Sequence, residues 1–157
     1  MKISDVLSPE MTSCNLPGRS KKRILENIAQ MITAQLDAGD ELCDILFDNF
    51  VAREKLGSTG IGSGVAIPHC RTPGIKKIYG FLAKLTAPVD FDAIDDQPVD
   101  LIFALVVPEE KNDEHLSTLA RIAAIMQNDK SRQLLRDCDN DKLLFKTVLD
   151  LERKHKS

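Results

Sequence analysis

The sequence predicts an α/β fold: a three-layer α/β/α sandwich around a mixed β-sheet, in a single domain spanning residues 1–157. Three observations carry that expectation. Helical periodicity dominates both ends of the chain. The middle holds two nearly continuous apolar runs, 78–85 and 101–107, of the kind found in strands covered on both faces. Two helical segments precede these runs and three follow, so simple strand–helix alternation fails and the sheet is expected to be mixed.

The elements follow in order. Ser20 precedes a segment in which Ile24, Leu25, Ile28, Ile32 and Leu36 share one helical face, with Ser20 as its cap and Gly39 as its stop. A second helix is expected from 40 to about 55, with Leu42, Ile45, Leu46 and Phe50 on one side. Four of the eight glycines then fall at 57, 60, 62 and 64, ahead of Val65-Ala66-Ile67-Pro68-His69-Cys70. The two strand runs come next, separated by an acidic loop with Asp90, Asp92, Asp95, Asp96 and Asp100. Leu116, Leu119, Ala120, Ala123 and Met126 mark a helix with Asp113 as its possible cap. Leu134 and Leu135 mark a short one, and Leu143 to Leu151 a last one capped near Asn140.

Composition removes several function classes. A chain of 157 residues needs no disulfide or metal to hold its core. Hydrophobic residues at 43% and charged residues at 29% exclude a disordered chain. Aromatics are only 4%, too few for a single-stranded nucleic-acid platform. The net charge of −3 argues against a phosphate-backbone binder, so no nucleic-acid partner is expected. The N-terminus lacks a signal-peptide stretch, and the longest apolar run, 101–107, is far short of a membrane span. No membrane insertion is expected. Cys14, Cys43, Cys70 and Cys138 are scattered, with no CxxC pair to suggest zinc or dithiol chemistry. They read as free thiols in a reducing cytoplasm, the expected location.

The glycine cluster is neither a P-loop nor a dinucleotide fingerprint, because no Gly-Lys-Ser/Thr closes it and Val65 and Ile67 stand where small residues would be needed. A nucleophile elbow at Ser63 fails as well, since Ile61 and Val65 flank it in place of glycine. Tight turns between short strands explain the glycines. His69 follows Pro68, which stiffens the backbone and pushes Ile67 toward extended geometry. A histidine presented this way suits nucleophilic phosphoryl acceptance, and equally a surface histidine without a role. Cys70 next to it in extended chain would point the other way, so a Cys–His dyad is not expected. Arg53 could fork onto phosphate oxygens or be a plain surface arginine. His115, in the first turn of its helix, could donate to an anion or be a partly exposed first-turn residue. Lys21-Lys22-Arg23 reads as a solvated helix start, and His155 in Arg153-Lys154-His155-Lys156 as a solvated helix end.

The continuous stretch from Arg53-Glu54-Lys55-Leu56-Gly57-Ser58-Thr59 through Gly60-Ile61-Gly62-Ser63-Gly64 to Val65-Ala66-Ile67-Pro68-His69 resembles the signature of phosphotransferase-system IIA proteins of the mannitol/fructose/nitrogen-regulatory superfamily. The likeness runs from about Ile3 to Asp150. Ser20-Lys21-Lys22-Arg23, and 101–108 followed by His115-Leu116, are most similar to the nitrogen-regulatory branch. The resemblance implies an α/β/α sandwich and a phosphoryl-transfer regulator, phosphorylated on His69 by an HPr-like phosphocarrier in a phosphoenolpyruvate-dependent relay. It implies Arg53 and His115 as phosphoryl stabilisers, no cofactor or metal, and regulatory target proteins as further partners. The alternative within the superfamily is a sugar-specific IIA that passes phosphate to a IIB domain. Cys70 stands where Gly is usual after the active histidine, and Ser63 where His or Asn is common.

Overall fold

A computed structural model describes residues 1–110 and 113–155 of the chain; Lys156 of the basic tail lies outside them. The first helix, α1 (Ile3–Val6), and a 3-10 turn (Pro9–Met11) lead into strand β1 (Thr12–Leu16). None of these was expected from the sequence. Four helical residues are too few to show a period, and Thr-Ser-Cys-Asn-Leu carries no strand pattern. Their partners lie far along the chain. Glu152 accepts the backbone N–H of Ile3 at 2.5 Å, and Asp141 accepts that of Cys14 at 2.8 Å.

Helix α2 (Lys21–Gln35) starts where Ser20 Oγ accepts the Arg23 N–H at 3.1 Å. Its stripe of Ile24, Leu25, Ile28 and Ile32 is fully buried. Gly39 does not end this helix. The chain turns at Asp37, which adopts a φ of 52°, and Gly39 caps α3 (Asp40–Lys55) instead. The two helices pack on each other.

Strands β2 (Gly60–Gly62), β3 (Val65–Ala66), β4 (His69–Thr72), β5 (Tyr79–Val89) and β6 (Val99–Pro108) complete a six-stranded sheet with β1. The order is β1-β5-β6-β3-β2, with β4 also paired to β6. The β5–β6 and β2–β3 pairs are antiparallel, and β1–β5, β3–β6 and β4–β6 are parallel. The mixed sheet is therefore as expected. Leu101 to Val107 are buried on both faces, which accounts for the unbroken apolar run. Helices α4 (Glu114–Met126), α5 (Asp129–Arg136) and α6 (Asp141–Lys154) form the group that packs with α1. Asn140 Oδ1 caps α6 through the Leu143 N–H at 2.8 Å. In α4 the buried side chains are His115, Thr118, Ile122, Ile125 and Met126, with Leu119 and Ala123 partly buried against the core; of the expected stripe, Leu116 and Ala120 are exposed. Asp113 precedes α4 without a side-chain capping bond. Among the described residues, no helix is long and apolar enough to cross a membrane.

The glycines serve the β2–β3 hairpin. Its two central residues, Ser63 and Gly64, have φ of 58° and 79°, the signs of a tight hairpin turn. Asp95 accepts the Ser63 N–H at 2.8 Å, and Arg136 donates to the Ser63 carbonyl at 2.7 Å and grips Asp100 through two nitrogens. A Cβ on Gly64 would come within 2.5 Å of Arg136 Nη2 and 2.9 Å of Asp100 Oδ1. Gly64→Ala should therefore destabilise the fold by about 1–3 kcal/mol, through the strained φ and the displaced ion pair. Urea unfolding checks this. An unshifted midpoint would mean the hairpin is not held by Arg136.

Candidate functional site

The site forms where the C-terminal end of α3 meets the start of β4. β3 and β4 both run parallel to β6, and Ile67-Pro68 lies between them. Pro68 has no N–H to give, yet its carbonyl accepts the Leu105 N–H at 2.9 Å, so the chain stays on the sheet through the break. His69 is thus the first residue of a strand, opposite Leu105, and not part of a loop. It is half-buried, while Cys70 beside it faces the core.

The two ring nitrogens of His69 have different surroundings. Nδ1 lies 2.9 Å from the Ile67 carbonyl, which can only accept, so Nδ1 carries the proton. Nε2 is left with its lone pair and accepts a bond from Arg53 Nε at 3.4 Å. Arg53 also donates from Nη1 to the Gly57 carbonyl at 2.8 Å. His115 lines the same open cleft, about 520 Å³ in volume, whose wall includes Asn49, Leu56, Arg71 and Val107. His115 is buried rather than partly exposed, and Arg53 is half-buried rather than a free surface residue. Residues 16 and 46 apart in sequence, Arg53–His69 and His69–His115, are therefore brought together.

Burial pushes the His69 pKa below its ordinary 6.5, and the charges of Arg53 and His115 press the same way against the opposing Ile67 carbonyl and Glu54. The shift favours the neutral ring at neutral pH, with the Nε2 lone pair free of a proton. Burial raises the Cys70 thiol to about 11, with the Thr72 hydroxyl pulling slightly down, so this cysteine is inert. Among the described residues, no group of three His, Cys, Asp or Glu side chains is placed to hold a metal ion.

Three contributors escaped the sequence reasoning. Asn49, one turn before Arg53, donates to the Arg71 carbonyl at 3.1 Å and joins α3 to β4. Its spacing of four from Arg53 is the signal that could have placed it on the same helix face. Glu54 accepts the Thr59 N–H at 3.1 Å and the Thr59 hydroxyl, and Lys21 Nζ donates to it at 3.1 Å. Lys21 is consequently not a solvated helix start, since it also meets Asp92 at 3.1 Å. His155, by contrast, is exposed as expected.

The family model for the phosphoenolpyruvate-dependent sugar phosphotransferase system, EIIA 2, matches residues 5–150. A nitrogen regulatory protein of Pseudomonas aeruginosa is 44% identical over 152 residues, covering 97% of each chain. The nitrogen regulatory protein of Escherichia coli K12 is 38% identical over 153 residues, 97% of this chain and 92% of that one. The crystal structure of nitrogen regulatory protein IIA-Ntr from Neisseria meningitidis superposes with a TM-score of 0.85 at 34% identity, covering 93% of this chain and 98% of that one. IIA mannitol from Escherichia coli superposes at 0.70 with 15% identity, over 90% of this chain and 96% of that one, a likeness of fold.

Two outcomes follow from the geometry. In an NMR titration, His69 should titrate with a midpoint below 6.5, staying neutral at pH 7 and gaining its proton only on further acidification. A midpoint above 6.5 would contradict the buried, cation-flanked environment. Native protein treated with iodoacetamide at neutral pH should leave Cys70 unmodified; alkylation of Cys70 at the rate of a free thiol would show that it is not shielded.

Proposed function

The chain belongs to the EIIA 2 family of the phosphoenolpyruvate-dependent sugar phosphotransferase system, and from that membership and the cleft's geometry we propose that it is a cytoplasmic phosphoryl-transfer regulator, phosphorylated on His69. The observation that carries the proposal is the single ring on which an acceptor-only carbonyl holds Nδ1–H and an arginine points at the bare Nε2. The donor is an HPr-like phosphocarrier bearing phosphohistidine. The Nε2 lone pair attacks phosphorus in line, the donor's P–N bond breaks, and its electrons return to the donor ring. The proton stays on Nδ1, donated to the Ile67 carbonyl, throughout. Arg53 gives up its bond to Nε2 and turns its fork to the phosphoryl oxygens, and His115 donates to another of them. The reaction calls for positioning and charge neutralisation, and no cofactor, because the donor is already an activated phosphoramidate.

Regulation then acts on partner proteins. Phosphorylation adds about −1.5 to −2 charges at the mouth of the cleft. A partner that covers His69 with apolar or acidic groups is repelled, because the new charge must be desolvated. Likeness to nitrogen regulatory proteins over 97% of the chain supports this reading over sugar transport through a IIB domain. The fructose-specific EIIABC relative from Bacillus subtilis is 27% identical.

Phosphorylation by phosphoenolpyruvate, enzyme I and a carrier, followed by intact mass, tests the assignment. His69→Ala should stay folded and gain no phosphate; a mutant that still gains one acid-labile phosphate would remove His69 from the role. Arg53→Ala should slow single-turnover transfer about a hundredfold, equivalent to roughly 3 kcal/mol in the barrier. Arg53→Lys should recover part of the rate, since it keeps the charge and loses the fork. Equal rates for wild type and Arg53→Ala would leave Arg53 without a role.

A further inference from the structure

We propose that Glu54 is a positioning residue for His69: by holding Thr59 it sets, through the backbone of Ile67, which nitrogen of the His69 ring carries the proton. The inference rests on the reading of His69 as phosphoryl acceptor and extends it to a residue outside the cleft. The Glu54 carboxylate is only 5% exposed. A buried charge is costly unless its acceptor sites are filled, and here they are filled by one residue of the turn and one lysine. Thr59 gives both its N–H and its hydroxyl to Glu54, and Lys21 supplies the counter-charge. Thr59, itself buried, then accepts the Ile67 N–H on its carbonyl at 3.0 Å. With its N–H held and Pro68 confining it to extended backbone, Ile67 has one direction left for its carbonyl. That carbonyl accepts the Nδ1–H of His69 at 2.9 Å. The path is thus Glu54 to Thr59, Thr59 to Ile67, and Ile67 to the ring.

The placement of Glu54 next to Arg53 gives the arrangement its economy. Consecutive residues on a helix point about 100° apart. One helix end therefore aims a cation at Nε2 and, from the adjoining position, an anion at the turn that orients Nδ1. Lys21 extends the brace to α2 and, through Asp92, to the acidic loop.

Two variants test it. Glu54→Gln keeps the shape but turns an amide NH2 toward donors, and Thr59→Val removes only the hydroxyl. Protein labelled with 15N-histidine reports the tautomer directly, with the His69 signals assigned by their loss in His69→Ala. Wild type should show protonated Nδ1 and bare Nε2. Both variants should show a mixture with protonated Nε2, and should take phosphate from the carrier about 10–100-fold more slowly, with unchanged circular dichroism. A folded variant that keeps the single wild-type tautomer overturns the inference whatever its rate, and so does a shifted tautomer with an unchanged rate. If Glu54→Gln does not fold, Thr59→Val decides alone, because it leaves the buried charge and its lysine in place. If wild type accepts no phosphate from any carrier, the proposed function falls, and the tautomer comparison still decides the role of Glu54.

Discussion

The site depends on a break in strand pairing across which the sheet keeps its register. β3 and β4 keep the same offset to β6 on both sides of Pro68: Ala66 faces Ile102 and His69 faces Leu105, 36 residues apart in each case. The register never slips, so every side chain beyond the proline keeps its face. Pro68 has no N–H to give β6, so the ladder loses a single donor there and resumes through its carbonyl, which accepts the Leu105 N–H. The result is a histidine anchored on a rigid strand but released from the packing that buries Val65, Ala66 and Cys70. A loop would present the ring more freely and orient it less well.

Around that ring the structure opposes two charges. Burial, and then the Arg53 cation beside the unprotonated Nε2, hold the His69 pKa below its ordinary value. Glu54, pointing away, ties the same helix end to the turn that holds the other nitrogen. In the proposed transfer this guanidinium, already beside Nε2, turns its fork to the incoming oxygens. The anchoring of α3 to β4 through Asn49 keeps these distances from depending on a surface loop.

The acidic loop before β6 has a structural use that its composition concealed. Asp92 meets Lys21, Asp95 accepts from Ser63 and Gln97, and Asp100 is gripped by Arg136. The Asp95 carboxyl is held below the usual range first by the Ser63 N–H and then by the Gln97 N–H. Asp95 directly, and Asp100 of β6 through Arg136, brace the glycine hairpin that leads toward His69. The positive φ of Ser63, unusual for a residue with a side chain, is tolerated because both its N–H and its carbonyl are held.

How much of this was legible follows from which contacts are local. The long helices declare themselves because their apolar stripes and caps are set by residues three or four apart, as with Ser20 and Arg23 or Asn140 and Leu143. The two central strands do so because burial on both faces leaves no polar position. Pro68 before His69 already marked a presented ring, and the likeness to a known family marked Arg53 through the stretch 53–69 and His115 through 101–108 with His115-Leu116. β1 and β4 stayed hidden, since each is paired to a strand far along the chain, and the short strands around the glycines were expected without bounds; in α4 the burial of His115 and Thr118 stayed hidden too. By itself, then, the sequence determined the layers and the mixed sheet, which rest on local periodicity, and its likeness to a known signature named the candidate groups. The tertiary structure alone decided that His69 opens a strand, that its Nδ1 is bound and its Nε2 bare, and that Glu54 braces the turn. Those outcomes depend on distances between α2, α3 and the sheet, which only packing sets.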